Sequence, residues 1–193
     1  MNGQYVDNVY NEMLIKEANN RVIVLNEGFD DVSIYKVIYY LRKIQKQDKI
    51  NPYKKGKITI RINSPGGVVY SLLNLLNVIE ELKKDDYIIE TISEGYSMSC
   101  AFILLLCGSK GHRYAGKYST LLYHQVSAGT IGKMNEMKET LDEVCRLNEL
   151  MHEIIIENTD LTKEQLVEWD EKRRDVYISP EEALEFGVID KIN

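Results

Sequence analysis

Apolar and polar positions in this chain switch repeatedly between two periods. Arg21-Val22-Ile23-Val24-Leu25 is a short apolar run that predicts a buried strand, and Asp30 to Gln47 follows with Val32, Ile34, Tyr35, Val37, Ile38, Leu41 and Ile44 in a largely helical pattern. Residues 48–56 are polar, contain Pro52 and Gly56, and read as a surface loop. The cycle then repeats. Lys57 to Ile62 alternates as a strand, Ser71 to Leu82 is amphipathic at helical spacing, and Tyr87 to Ile92 is again strand-like. An apolar helix over 99–107, a Gly-Ser-Lys-Gly turn and a strand over Ser119 to Tyr123 come next. This alternation predicts an α/β fold with a mainly parallel central sheet. Right-handed crossovers would gather the strand ends, and the turns that follow them, at one edge.

Residues 133–157 break the rhythm. Met134, Met137, Leu141, Val144, Leu147, Met151 and Ile155 recur at three- and four-residue steps, which predicts a helix of about six turns. Such a stripe ordinarily covers a sheet; a helix this long could instead project and pack against another subunit. The end of the chain reads as a strand from Asp175, a short helix capped by Ser179 with Pro180 in its first turn, a stop at Gly187, and a last strand.

Length and composition narrow the class. A chain of 193 residues predicts one domain with a sizeable core. A formal charge of −6 argues against nucleic acid as a main partner. Cys100, Cys107 and Cys145 are odd in number and lack C-x-x-C spacing, so neither disulfides nor a structural zinc site is expected, and a reducing compartment fits. Met1-Asn2-Gly3-Gln4 opens no secretory signal, and the run Cys100 to Cys107 is too short to span a bilayer. These features together predict a soluble cytoplasmic protein with no membrane partner.

Two glycine-bearing turns carry the candidate chemistry. Asn63-Ser64-Pro65-Gly66-Gly67 joins a strand to a helix, as does Gly95-Tyr96-Ser97-Met98-Ser99, and two such turns can build one anion-stabilising pocket from bare backbone N–H groups. Ser99 sits where a helix begins, a position that serine usually fills as an N-cap, and a serine hydroxyl is a weak nucleophile without a base in reach. Ser97 and Cys100 compete with it, although Cys100 leads an apolar helix and reads as a buried small hydrophobe. Of the three histidines, His112 lies in a basic loop and reads as solvated, and His152 on the long charged helix reads as exposed or at a contact. His124 ends a strand ahead of a glycine-containing loop, where α/β folds place functional side chains, and is the best base available. An orienting carboxylate would come from Asp170, Asp175 or Asp190, among which spacing does not choose.

Residues Arg21 to Ile192 resemble the ClpP family, the proteolytic subunit of the ATP-dependent Clp protease. The matching segments are Ile62 to Gly67, Gly95 to Ser99, Cys107 to Tyr114, Tyr123-His124-Gln125 and Arg174 to Asp190. The resemblance implies ClpP/crotonase-like repeated β-β-α units in a single domain over 1–193, with a pore-side segment at 1–20 and a protruding handle region at 126–157. It puts the nucleophile at Ser99, the base at His124 and the triad aspartate at Asp175, with backbone N–H groups of Gly67 and Cys100 as the oxyanion hole. It implies no metal and no organic cofactor. It also implies a homo-oligomer of two stacked heptameric rings, an AAA+ unfoldase such as a Clp ATPase as partner, and unfolded polypeptides as substrates.

Three departures from the family pattern stand out. Cys100-Ala101 replaces Met-Gly or Met-Ala after the nucleophile, Val126 replaces the proline after His-Gln, and the first twenty residues do not match the axial pore segment. The alternatives to an active peptidase are a catalytically silent scaffold subunit, a crotonase-type acyl-CoA enzyme, or a related peptidase with a dedicated task such as phage capsid maturation. Ser99, His124 and Asp175 together argue against the first, and a Ser–His pair at this spacing argues against the second.

Overall fold

The computed structural model describes residues 12–51, 56–172 and 175–193. Most of the expected pore-side segment, residues 1–11, lies outside these, as do 52–55 of the expected loop and Arg174 of the last matching segment. Helical residues 12–19 (α1) lead into β1 (Val22–Leu25), α2 (Asp31–Ile50), β2 (Ile58–Ser64), α3 (Val69–Lys84), β3 (Ile89–Met98) and α4 (Cys100–Leu106). Then come β4 (Arg113–Ala115), β5 (Thr120–Tyr123), α5 (Met134–Asn158), α6 (Lys163–Lys172), β6 (Val176–Ile178), α7 (Pro180–Glu185) and β7 (Lys191–Ile192).

The sheet is mainly parallel, in the order β1-β2-β3-β4-β7, with β5 beside β3 and β6 antiparallel to β5. β3 serves two partners in succession. Its first half pairs with β4 through Thr91 to Ser93, and its second half pairs with β5 through Tyr96 to Met98. Residues 95–98 therefore belong to a strand, where the sequence suggested a turn; both flanks offer partners, since Ser97 pairs with Ser64 on one side and Leu121 on the other. The true turn contracts to Ser99.

Amphipathic patterning puts the core where it was expected. Ile58, Ile60 and Ile62 of β2 share one buried core cluster with Leu72, Leu75, Ile79 and Leu82 of α3, and every residue of α4 is buried. Charges pair on the other face of these strands: Nζ of Lys57, just before β2, lies 2.6 Å from Glu90 of β3, and Arg61 Nε of β2 lies 2.6 Å from Glu94 of β3. Residues 48–50 continue α2 rather than starting a loop, because Asp48 is buried and takes both Arg21 Nη1 contacts at 2.9 Å. β4 and α6 carry too weak a period to be read from sequence: three residues in one case, a mostly exposed helix in the other.

The apolar stripe of α5 divides. Leu147, Met151 and Ile155 are buried, whereas Met134 is 82% and Leu141 60% exposed, so only the C-terminal half of the helix covers the core. His152 corrects the sequence reading. It lies on the buried side of α5 at 3% exposure. Among the described residues no helix is long and apolar enough to cross a membrane.

Arg113 and Asp190 lock the β4 and β7 ends together. Arg113 donates from its backbone N–H, Nε and Nη2 to the Asp190 carboxylate at 2.7–3.0 Å, and from Nη1 to the Asn158 carbonyl at 2.6 Å. Burial alone would push the Asp190 carboxyl up. The hydrogen bonds from Arg113 outweigh it and hold the group below the ordinary value of 3.8. A depressed folded-state value stabilises the fold above 3.8 and stops doing so as the pH falls through it. We therefore expect Asp190→Asn, which leaves the Arg113 charge buried and uncompensated, to cost about 3 kcal/mol at neutral pH. Urea midpoints measured against pH should show the gap between variant and parent narrowing below 3.8.

Candidate active site

Parallel strands end on the same side of a sheet, so the turns after β2, β3 and β5 share one edge. There the segment Ser64 to Gly67 runs against the β3–α4 junction. Gly66 has φ 84°, and a Cβ on it would come 2.5 Å from the Met98 carbonyl oxygen and 2.8 Å from both Cys100 N and Ser99 Cβ. Only a residue without a side chain fits that approach. The other side of the segment rests on Phe29, whose N–H donates to Gly66 O at 2.7 Å and whose carbonyl accepts the Val68 N–H at 2.8 Å. Because Phe29 takes the groups flanking Gly67, the N–H and C=O of Gly67 itself point the opposite way. On that side the Gly67 carbonyl accepts the Cys100 thiol at 3.1 Å. Asn63 adds a further tie, its Oδ1 accepting the Tyr96 N–H at 3.2 Å.

Ser99 occupies a backbone conformation that serine rarely adopts, φ 53° and ψ −121°. Strain of this kind costs about 1–3 kcal/mol and persists only when the surroundings over-determine it. Here the Ser99 N–H donates to Leu122 O at 2.9 Å, and the Ser99 carbonyl accepts from Phe102 and Ile103. The side chain makes no capping bond to α4, so the ordinary N-cap role does not apply. The junction instead presents the hydroxyl at a sharp strand-to-helix corner, with the first N–H of α4, on Cys100, beside it. Neither the Gly67 N–H nor the Cys100 N–H has an acceptor among the described residues.

The rival nucleophiles are disposed of differently. Ser97 is fully buried within β3 and donates its hydroxyl to Ser93 Oγ at 2.8 Å. Cys100 is buried as expected, and burial pushes its thiol above the ordinary value, so it is held in the un-nucleophilic form.

Gly67, Ser99, Cys100 and His124 line one pocket, with Val69, Ile103, Val126 and Met151 as apolar wall. His124 is half-buried at the end of β5. Its Nδ1 lies 2.6 Å from the Gln125 carbonyl, an acceptor only, so the proton is on Nδ1 and the lone pair of the neutral ring is on Nε2. No hydrogen bond joins His124 to Ser99 or to Asp175. Asp175 is exposed and has no partner among the described residues. The β5–β6 ladder ends at the Tyr123–Val176 pair, so His124 and Asp175 are the residues that flank that last pair in sequence. The other late aspartates are occupied, Asp190 by Arg113 and Asp170 by Tyr123 and Asn148. Among the described residues no group of three or more His, Cys, Asp or Glu side chains could hold a metal ion.

Sequence reasoning missed two parts of this site. One is Phe29, whose role is carried by backbone and leaves no side-chain signature. The other is the set Tyr123, Asn148, His152 and Asp170; Asn148 and His152 sit four apart beside the buried positions Leu147 and Met151, a polar interruption of an apolar stripe that was legible.

A family model described as Clp protease matches residues 1–193, the whole chain.

Gly66→Ala is expected to destabilise the fold by at least about 2 kcal/mol, because the positive φ and the backbone contacts leave the methyl nowhere to go. Ser97→Ala, which breaks one buried hydroxyl pair, is expected to cost about 1 kcal/mol. Denaturant midpoints of the two variants measure both.

Proposed function

Because the chain belongs to the Clp protease family, and is thus a peptidase of the ClpP kind, we propose that it is a serine endopeptidase working through Ser99, His124 and Asp175. The observation that supports this most is the strained Ser99 corner, whose hydroxyl forgoes helix capping and lines the same pocket as His124. In this reading Ser99 Oγ attacks the scissile carbonyl carbon while His124 Nε2 takes its proton. The carbonyl oxygen becomes an oxyanion between the N–H groups of Gly67 and Cys100, each worth about 3 kcal/mol to the transition state. The imidazolium then protonates the leaving amine, the C–N bond breaks, and water releases the acyl group from Ser99 by the same steps. For the triad to form, the Nδ1–H of His124 must exchange the Gln125 carbonyl for the Asp175 carboxylate.

Members of the family generally form oligomeric rings with Clp ATPases. We extend this to two stacked heptameric rings that enclose the pockets, with unfolded polypeptide delivered by an AAA+ unfoldase. The exposed Met134, Met137 and Leu141 on α5 supply an apolar surface for the ring–ring contact. The catalytically silent scaffold is the rival reading, favoured by the absence of a Ser99–His124 hydrogen bond.

A fluorophosphonate probe decides between them. We expect labelling at Ser99, abolished in Ser99→Ala, and turnover lowered by about 10⁴-fold in Asp175→Asn. Labelling at Ser97 or Cys100 would overturn the assignment, and no labelling of assembled protein would establish the scaffold. Native mass spectrometry should give a particle of fourteen chains; a monomer would overturn the ring.

A further inference from the structure

The segment that carries His124 is gripped on both sides by one half-buried carboxylate. On the near side, Tyr123 donates its hydroxyl to Asp170 Oδ1 at 2.8 Å. Burial and then the carboxylate push the tyrosine well above its ordinary value, so the hydroxyl keeps the proton it donates. On the far side, the Val126 N–H donates to Asn148 Oδ1 at 2.9 Å, and Asn148 Nδ2 donates to Asp170 Oδ2 at 2.9 Å. Among the described residues this is the one hydrogen bond from residues 125–132 to another element.

His152 completes the set. Its Nε2 lies 3.1 Å from Asp170 Oδ2 and 2.8 Å from Tyr123 Oη. The tyrosine proton is committed to Asp170 and a carboxylate offers none, so Nε2 carries the proton shared with both. His152 Nδ1 is buried with no partner. An apolar cluster would avoid that cost, and a polar network kept in spite of it fixes geometry rather than adding stability.

We propose that Asp170 is a positioning residue of the active site, holding the His124 segment against Ser99 through Tyr123 and Asn148, with His152 fixing the carboxylate; this rests on the peptidase reading above. Asp170 touches no reacting atom. It acts by restraining the residue before His124 and the second residue after it, so that the ring samples few positions other than the productive one.

Two variants test the bracket. Asn148→Ala removes both the acceptor for Val126 and the donor to Asp170. Asn148→Asp keeps the acceptor but sets a second carboxylate against Asp170. Both are expected to lower kcat and the rate constant for Ser99 labelling about tenfold, with KM within twofold and native mass unchanged. Both should also raise amide exchange at Val126, read by hydrogen–deuterium mass spectrometry, at least tenfold. A merely structural role would lower the labelling amplitude and leave the rate constant of the surviving enzyme intact; that result overturns the proposal. So does a parent-like Asn148→Asp, which would show that the tether does not run to Asp170. If the parent is itself unlabelled, the peptidase reading fails separately. The exchange measurement then decides alone: Val126 protected in the parent and freed in both variants supports the bracket, and Val126 unprotected in the parent overturns it.

Discussion

The approach of a bare backbone segment to the end of β3 is the constraint on which this site is built. Gly66 lies against Met98, Ser99 and Cys100 because it lacks a Cβ, and Phe29 presses the same segment from the other side. Phe29 is in turn fixed by the start of α2, where Asp30 and Ser33 form a reciprocal cap and the Ser33 hydroxyl reaches back to the Gly28 carbonyl at 2.6 Å. A helix cap some seventy residues from Ser99 in sequence thus decides how closely the Gly67 N–H can approach it. The dependency runs through backbone and small side chains, which have few alternative arrangements.

Two half-buried carboxylates do comparable mechanical work in different places. Asp190 ties β4 to β7 through Arg113, away from the pocket, and its charge is compensated by a cation. Asp170 lies beside the pocket and is surrounded by a hydroxyl, an amide and an imidazole. The first arrangement binds two strand ends and the C-terminal end of α5 into one unit. The second restrains a loop-bearing segment whose other side chains are largely exposed.

How far the sequence could be read follows from how local each signal is. β2, α3, β3, α4 and the end of the chain were legible because each repeats an apolar period or a capping pattern within its own span. The strand character of residues 95–98 was not, since glycine and serine there are recruited by ladders on both flanks. His152 was read as exposed or at a contact because its helix is charged, and only the packing of α5 on β5 and α6 reveals that it faces inward. Turns and strand ends offered Ser99 and His124 as candidates, the family resemblance added Gly67 and Cys100 as donors, and one pocket is lined by all four. Asp175 came from the family resemblance; the β5–β6 ladder ends one residue short of it and of His124, with no bond between them.

Ser99 at φ 53° also bears on how such a position can drift over generations. Glycine would relax the corner and regain part of the strained conformation's cost, so selection for a sturdier fold pulls toward losing the side chain. Only a requirement for the hydroxyl pulls the other way. The residue therefore stands at a point where durability and chemistry are opposed, and a lineage freed from the chemistry would be expected to lose this serine before it lost the glycines that surround it.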